Sequence, residues 1–360
     1  MTNLDTWGWT AREDALFQPH AQEGRQPGRV LAEHRGSYVV ITDRGEVTAT
    51  VSGRFRYDSA TLEDYPAVGD WVVVEMSDDS ASAVIQRMLP RATRFARPAR
   101  GDAAQAQVVA ANVDVVLLVT GLDHDFNVRR LERYLALAWS SGAEPVIVLN
   151  KADVCDDVPG RIADATQVAS GVPVRVISAT EHEGLDSLTP LLGPGRTVAL
   201  VGSSGVGKST IVNALLGHER QATGEVRAMD QRGRHTTTSR ELLLMPSGAL
   251  LIDSPGMRSV GMWDAEPGLA DAFADIDEIA ANCRFNDCTH ESEPGCAVLR
   301  AIADGSLARA RFESQRKLAR ESAALAARVS PVARAAQRKY WTAITKSARV
   351  HMRQKYGSGD

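Results

Sequence analysis

No run of about 18 consecutive apolar residues occurs anywhere in the 360-residue chain, so no membrane-spanning helix is expected. The stretch from Met1 to Ala21 mixes Trp, Asp, Arg and Glu and has no apolar central region, so no export leader is expected. Cysteine is scarce, four residues in all, too few for a disulfide framework in a chain this long. Three of the four crowd into one short segment, which suits metal ligation in a reduced, cytoplasmic setting. No internal repeat is evident. Positive charge is short overall, with 41 Lys and Arg against 45 Asp and Glu. From Leu307 onward, however, thirteen Lys or Arg face three Asp or Glu. A basic tail on an acidic body points to a polyanionic partner.

Apolar residues make up 44% of the chain, enough for a sizeable core, and the length suits two or three domains. Residues 1–28 hold Trp7, Trp9 and a Gln/Gly/Pro-rich stretch and read as a loosely ordered arm. Residues 29–95 have strand texture: Ser37 to Ile41, Glu46 to Val51 and Asp70 to Glu75 are β-rich and punctuated by turns at Asp43–Gly45 and Val68–Asp70. A small OB-like β-barrel fits. The stretch from Arg91 to Gln107, with Arg91, Arg94, Arg97 and Arg100, reads as a linker.

Residues 96–262 alternate strand and helix. Val113 to Val119 is a continuous apolar run, as in a buried parallel strand. Val128 to Ser141 has helical spacing. Further strands lie at Pro145 to Leu149, Pro173 to Ile177 and Thr197 to Val201, and a hairpin turns at Pro246–Gly248. The fold class is α/β, a doubly wound sheet. Residues 263–360 read as a helical unit with a Cys-rich segment and the basic tail.

Gly202-Ser203-Ser204-Gly205-Val206-Gly207-Lys208-Ser209 fits the phosphate-loop pattern after an apolar strand and before a helix. Its glycines let backbone N–H groups curl around phosphate, with Thr210 the next helical residue. Lys208 is expected at the β- and γ-phosphates and the Ser209 hydroxyl on Mg²⁺. Asn150-Lys151-Ala152-Asp153 ends a strand. An Asp carboxylate there can accept from guanine N1–H and the 2-amino group, whereas adenine offers neither donor. Asn150 can bond the base edge or brace the phosphate loop. The stem of Lys151 can cover the ring. Ser178-Ala179, one strand–helix unit later, is placed to give a backbone N–H to guanine O6. Asp253-Ser254-Pro255-Gly256 supplies an Asp for Mg²⁺ through water and a Gly N–H for the γ-phosphate. Among Thr236, Thr237 and Thr238, Thr237 is the preferred Mg²⁺ ligand and γ-phosphate sensor. Met257 stands where many GTP hydrolases carry a water-orienting Gln. His235 is the nearby substitute, alongside a backbone-held water or a partner's group.

The order of these motifs runs from the guanine motif to the phosphate loop, the Thr loop and Asp-x-x-Gly. That is a circular permutation of the usual order, and it ties the chain beyond Gly256 directly to the second switch loop. That stretch carries Cys283-x₄-Cys288-x-His290-x₅-Cys296, a full tetrahedral shell for one structural Zn²⁺. Cys155 reads as a small buried side chain. In the tail, Arg334, Arg338, Lys339, Lys346, Arg349, Arg353 and Lys355 interleave with Tyr340, Trp341 and Tyr356, a texture suited to RNA.

Three readings compete: an enzyme that hydrolyses GTP, a nucleic-acid-binding module that uses GTP only as a ligand, and a phosphate-loop kinase or ATPase. Asp153 with Ser178-Ala179 argues against the last. Lys208, Ser209 and Asp253 together argue against a passive binder.

With these motifs in place, the chain resembles the ribosome small-subunit-dependent GTPase family, permuted GTPases with an OB barrel and a zinc domain. The carriers are Asn150–Asp153, Gly202–Thr210, Gly233–Thr238, Asp253–Gly256, Cys283/Cys288/His290/Cys296 and the Gly69-Asp70-Trp71 turn. The resemblance implies GTPase activity stimulated by the small (30S) subunit, binding of that subunit and its 16S rRNA, and one zinc per chain. A monomer is expected.

Overall fold

The computed structural model describes residues 3–22, 24–77, 82–99, 102–169, 171–217, 240–253 and 265–328. His235, Thr236, Thr237, Thr238, Gly256, Met257 and the tail beyond residue 328 lie outside the described residues.

Five strands close a barrel: β1 (Arg25–His34), β2 (Ser37–Thr42), β3 (Gly45–Val51), β4 (Trp71–Met76) and β5 (Ser82–Met88). Their order is β1-β2-β3-β5-β4, and β1 pairs back onto β4 to complete the ring. Only the β3–β5 seam is parallel, and the connection across it carries α2 (Gly53–Asp58), capped by Ser52. Val47, Ala49 and Val51 alternate inward along β3 and meet Val30, Val40, Val72, Val74 and Ile85. This is the period-two burial expected of a small barrel.

The arm is ordered, contrary to the sequence expectation. A 3-10 turn at Leu4–Trp7 leads to helix α1 (Ala11–Phe17), opened by a capping box between Thr10 and Glu13. Trp9 packs edge-on against Trp71 at 4.9 Å and near Phe17 at 6.1 Å. The physical reason is apolar area: Trp71 and Val73 are buried on the outer side of β4, and the arm's aromatic rings cover them.

The expected linker is a hairpin of β6 (Arg94–Ala99) and β7 (Asp102–Ala111). Two of its arginines, Arg91 and Arg94, are taken up in ion pairs. Arg91 makes a two-pronged, buried bridge to Asp70 (2.8 and 2.7 Å) and donates to the carbonyls of Glu63 and Tyr65. Arg94 reaches Glu63 at 3.2 Å. The 69–71 turn therefore has a defined job. Asp70 holds Arg91. Trp71 underlies the Arg29 guanidinium, 5.0 Å from the ring centroid. Gly69, at φ +91°, approaches the Ala111 carbonyl so closely that a Cβ would lie 2.2 Å from its oxygen.

The second sheet unit comprises β8 (Val115–Gly121), β9 (Glu144–Asn150), β10 (Val174–Val176), β11 (Thr197–Val201), β12 (Glu241–Leu244) and β13 (Leu250–Asp253). The order is β10-β9-β8-β11-β13-β12, parallel except for β12. Strands β8 and β11 are buried along their whole length, as the unbroken apolar runs require. The edge strand β12 pairs with barrel strand β1 through Ala32 and Glu241, making one continuous sheet. Arg240 bonds Glu33 across this seam at 2.9 Å. Buried Arg29 also ties the units, donating to Thr197 Oγ1 (2.8 Å) and to the carbonyls of Gly69, Asn112 and Trp7.

Helix α3 (Val128–Ser141) is N-capped by Asn127 and ends at left-handed Gly142. The first of the C-terminal helices, Glu266–Ala272, packs on it. Beyond lie Ala274–Ala280, Ala297–Ala303 and the long helix Arg309–Arg328.

Candidate functional site

The carboxyl ends of the parallel strands gather the sequence motifs at one edge, where ligands of doubly wound sheets bind. Strand β9 ends at Asn150, which is 2% exposed. Its Oδ1 accepts the Ala179 N–H at 3.0 Å, and its Nδ2 donates to the Val206 carbonyl at 2.8 Å. Of the two roles open from sequence, the side chain takes the bracing one. It joins the guanine motif, the Ser178-Ala179 turn and the phosphate loop. Lys151 comes next in the left-handed region, φ +67°, and its Nζ meets Asp123 Oδ2 at 2.6 Å. Asp153 Oδ1 accepts from the Ser178 hydroxyl at 2.6 Å, so the carboxylate expected to read the base is oriented by the turn expected to face guanine O6. Ala152 lies between them in a short 3-10 turn.

The phosphate loop leaves β11 at Gly202 and enters a helix at Lys208–Leu216. Ser204 and Gly205 are exposed, and Ser209 and Thr210 are half-buried, so the middle of the loop is open to solvent. Val206 is buried beneath it. Gly207, at φ +92°, admits the Asn150 brace: a Cβ there would lie 2.3 Å from Asn150 Nδ2. Lys208 Nζ donates to the carbonyls of Gly202 (2.7 Å) and Ser203. Strand β13 runs parallel beside β11, with Ile252 opposite Ala199. The backbone of Asp253 therefore emerges at the same edge.

Sequence reasoning missed a third contributor, the turn after β8. Asp123 holds Lys151, and Asp125 holds Ser203 of the phosphate loop at 2.8 Å. Arg130 lies in the first turn of α3 and contacts both Asp125 and Ser203. Asp125 is held below the usual carboxylate range, chiefly by the Arg130 hydrogen bond. Partial burial pushes Asp123 upward, but the bonds from Lys151 and the Asp125 N–H outweigh it, and its net shift is downward. The available signal is Asp-x-Asp at the carboxyl end of a buried strand, the same position that makes Asn150 informative.

A second candidate centre lies about thirty residues past β13. The ligating atoms of Cys283, Cys288, His290 and Cys296 all fall within 4.8 Å of one another. Cys283 Sγ is 3.6 Å from His290 Nδ1 and 3.9 Å from Cys296 Sγ, and His290 Nδ1 is 3.4 Å from Cys296 Sγ. A tetrahedral ion with metal–sulfur bonds of about 2.3 Å needs edges of roughly 3.5–3.8 Å, so the four side chains fit one metal ion. Backbone N–H groups of Ala297 and Leu299 point at Cys283 Sγ (3.3 Å) and Cys296 Sγ (3.4 Å), main-chain contacts that orient both sulfur atoms. Glu293 accepts the N–H groups of Thr289, Glu291 and Ser292, fixing the ligand loop. Cys155 is half-buried rather than buried and stands apart from this cluster.

A parallel sheet whose edge joins a guanine motif, a phosphate loop and Asp253, read in that chain order, defines a circularly permuted phosphate-loop GTPase. Residues 88–263 match the family model described as RsgA GTPase. The small ribosomal subunit biogenesis GTPase RsgA of Opitutus terrae is 47% identical over 359 residues, spanning 97% of this chain and 98% of that one. The protein of the same name from Streptomyces coelicolor is 43% identical over 96% of this chain and 94% of its own. Among solved structures, YjeQ from Thermotoga maritima is 28% identical with a TM-score of 0.61, covering 83% of this chain and 98% of that one. YloQ, described as a circularly permuted GTPase, shares the fold at 24% identity with a TM-score of 0.59, covering 84% of this chain and 96% of its own. This chain belongs to the RsgA GTPase family, and the expected α/β fold with barrel, permuted GTPase unit and Cys/His cluster holds.

Proposed function

We propose that this GTP hydrolase binds the small ribosomal subunit through its 16S rRNA, acts in late maturation of that subunit and is stimulated by it. The observation that carries the reading is the 47% identity to a small ribosomal subunit biogenesis GTPase along nearly the full length of both chains. The soluble, cytoplasmic setting and monomeric state belong to the same proposal. No described helix is long and apolar enough to cross a membrane.

Asp153 reads the guanine edge while Ser178 orients its carboxylate. Lys208 leaves its loop carbonyls for the β- and γ-phosphates. Ser209, Asp253 (through water) and Thr237 would hold Mg²⁺, which supplies charge neutralisation at the phosphates when bound. The Thr236–Thr238 loop and the Asp253–Gly256 loop close on the γ-phosphate, and Gly256 gives it an N–H. His235 orients the attacking water in place of the usual Gln. Cys283, Cys288, His290 and Cys296 would hold Zn²⁺ as a structural ion. The barrel and the basic tail grip rRNA in the GTP state and relax after hydrolysis.

The test is GTP turnover at low salt with and without purified small subunits, with large subunits and ATP as controls. Selective stimulation by the small subunit is expected. Tight GTP binding with turnover indifferent to the small subunit would sink the ribosomal reading and leave the GTPase.

A further inference from the structure

The segment that touches both nucleotide-binding loops belongs to neither motif. Between β8 and α3, Asp123 and Asp125 sit two residues apart and face different loops. Asp123 Oδ2 takes the ammonium of Lys151, in the guanine motif, at 2.6 Å. Gly121 lets the two meet: a Cβ there would lie 2.9 Å from Asp123 Oδ1 and 3.5 Å from Lys151 Cδ. Asp125 takes the hydroxyl of Ser203, in the phosphate loop, at 2.8 Å. Arg130 closes this side as a ring. Its Nη1 and Nη2 bond Asp125 Oδ2 (2.5 Å) and Oδ1 (3.0 Å), and Nη1 also donates to Ser203 Oγ at 2.8 Å. The two halves are joined, because the Asp125 N–H donates to Asp123 Oδ1 at 3.1 Å.

Ser203 is therefore held from both sides. Its hydroxyl is fixed by Asp125 and Arg130, and its carbonyl receives Lys208. When Lys208 moves to phosphate it releases that carbonyl, and the hydroxyl contacts to Asp125 and Arg130 still hold Ser203. The bidentate Arg130–Asp125 pair is geometrically rigid, and α3 anchors it to the buried sheet. A preformed loop avoids ordering cost when ligand arrives.

We propose that Asp123, Asp125 and Arg130 are positioning residues that hold the guanine loop and the phosphate loop at one fixed separation, with Asp123 serving the base and Asp125–Arg130 serving the phosphates. The inference rests on the nucleotide-binding reading of Gly202–Thr210 and Asn150–Asp153. It has a consequence that a merely structural role lacks. Loss of Asp125 weakens ligands in proportion to the phosphates they carry, whereas loss of Asp123 weakens all guanine ligands alike.

The experiment is binding of GMP, GDP and GTP to the full chain by calorimetric competition, for wild type, D123A, D125A, S203A and the D125A/S203A double variant. The contacts are about a third exposed, so solvent screening keeps each effect modest. D125A and S203A are expected to weaken GDP and GTP by roughly threefold to tenfold and leave GMP within about twofold. In the double variant the losses should not multiply. D123A should weaken all three nucleotides by a similar factor. Multiplying losses, or GMP weakened by D125A as much as GDP, would overturn the brace. K208A distinguishes failure of the brace from failure of the phosphate-loop assignment. If K208A retains GDP affinity, the phosphate-loop assignment itself fails, and the brace with it. Should D125A fold poorly by thermal unfolding, S203A removes a single hydroxyl and carries the same comparison.

Discussion

Glu132 of α3 and Arg311 of the helix Arg309–Arg328 form a buried ion pair, 3.0 Å from Oε1 to Nη1, with side chains 0% and 8% exposed. Arg311 also bridges Asp275 at 2.6 Å and donates to the Ala272 carbonyl at 2.9 Å. The helix whose first turn brings Arg130 to the phosphate loop thus carries the C-terminal helices on its far side. Arg133 adds a second bridge, to Glu321, and Gly268 lies against the Ala136 carbonyl. The C-terminal unit has two physical links to the nucleotide edge: the chain leaving β13 and the packed face of α3. Breaking a buried pair costs about 3–5 kcal/mol where it leaves a charge uncompensated; Arg129 also bonds Glu132 Oε1, which places the loss of Arg311 at the lower end of that range. R311A is therefore expected to lower the denaturation midpoint sharply. Urea unfolding followed by fluorescence checks it, and a change below about 1 kcal/mol would show that the pair is dispensable.

Gly69 offers a separate test at the junction of the barrel and the hairpin. Its φ of +91° and the 2.2 Å approach of a Cβ to the Ala111 oxygen leave no room for a methyl group. G69A combines backbone strain with a clash against main chain, so a loss of about 2 kcal/mol or more is expected. Thermal unfolding reads it out. The same substitution at Gly45, also at positive φ but with open space around it, should cost less and isolates the clash.

Much of this site is legible in the sequence, because each nucleotide loop succeeds a strand whose apolar run announces burial. Asn150, Gly202 and Asp253 all stand at such strand ends. The part that escapes is polar and local. Asp123 and Asp125 offer only a short Asp-x-Asp signal and Arg130 none, and the sheet order, which brings β8 between β9 and β11, is what shows what they face. Composition misleads at the arm and the hairpin, where single residues decide. Trp9 outweighs the surrounding Gln, Gly and Pro once Trp71 needs cover. The arginines of 91–97 look solvated until Asp70 and Glu63 are folded beside them.

Metal occupancy gives another prediction. Cys283, His290 and Cys296 stand 3.4 to 3.9 Å apart, Cys288 lies within 4.8 Å of each, and the four are expected to hold one zinc per chain. Elemental analysis of the purified protein checks the stoichiometry. C288S should abolish binding, since a hydroxyl is a poor replacement for thiolate on zinc. Chelation should loosen the C-terminal helices, read as lost helical circular dichroism, because ligand binding free energy is folding free energy in such units. The barrel, with its own core around Val40, Val72 and Ile85, should persist.

Base selectivity is the most direct test of Asp153. Its carboxylate accepts a hydrogen bond from Ser178 at 2.6 Å, which leaves capacity for the two donors of a guanine edge, since a carboxylate has about four acceptor sites. D153N replaces one acceptor by a donor. Guanine N1–H and the 2-amino group then face an N–H₂, while xanthine, with a carbonyl at position 2, offers an acceptor to it. The variant is expected to lose GTP affinity by about a hundredfold or more, on the order of the penalty for unpaired buried polar groups, and to gain relative affinity for XTP. Competition between GTP and XTP measures both. If D153N still prefers GTP by the wild-type margin, the base is read elsewhere. If both nucleotides are lost together with the unfolding midpoint, Asp153 acts through the Ser178 turn rather than on the base.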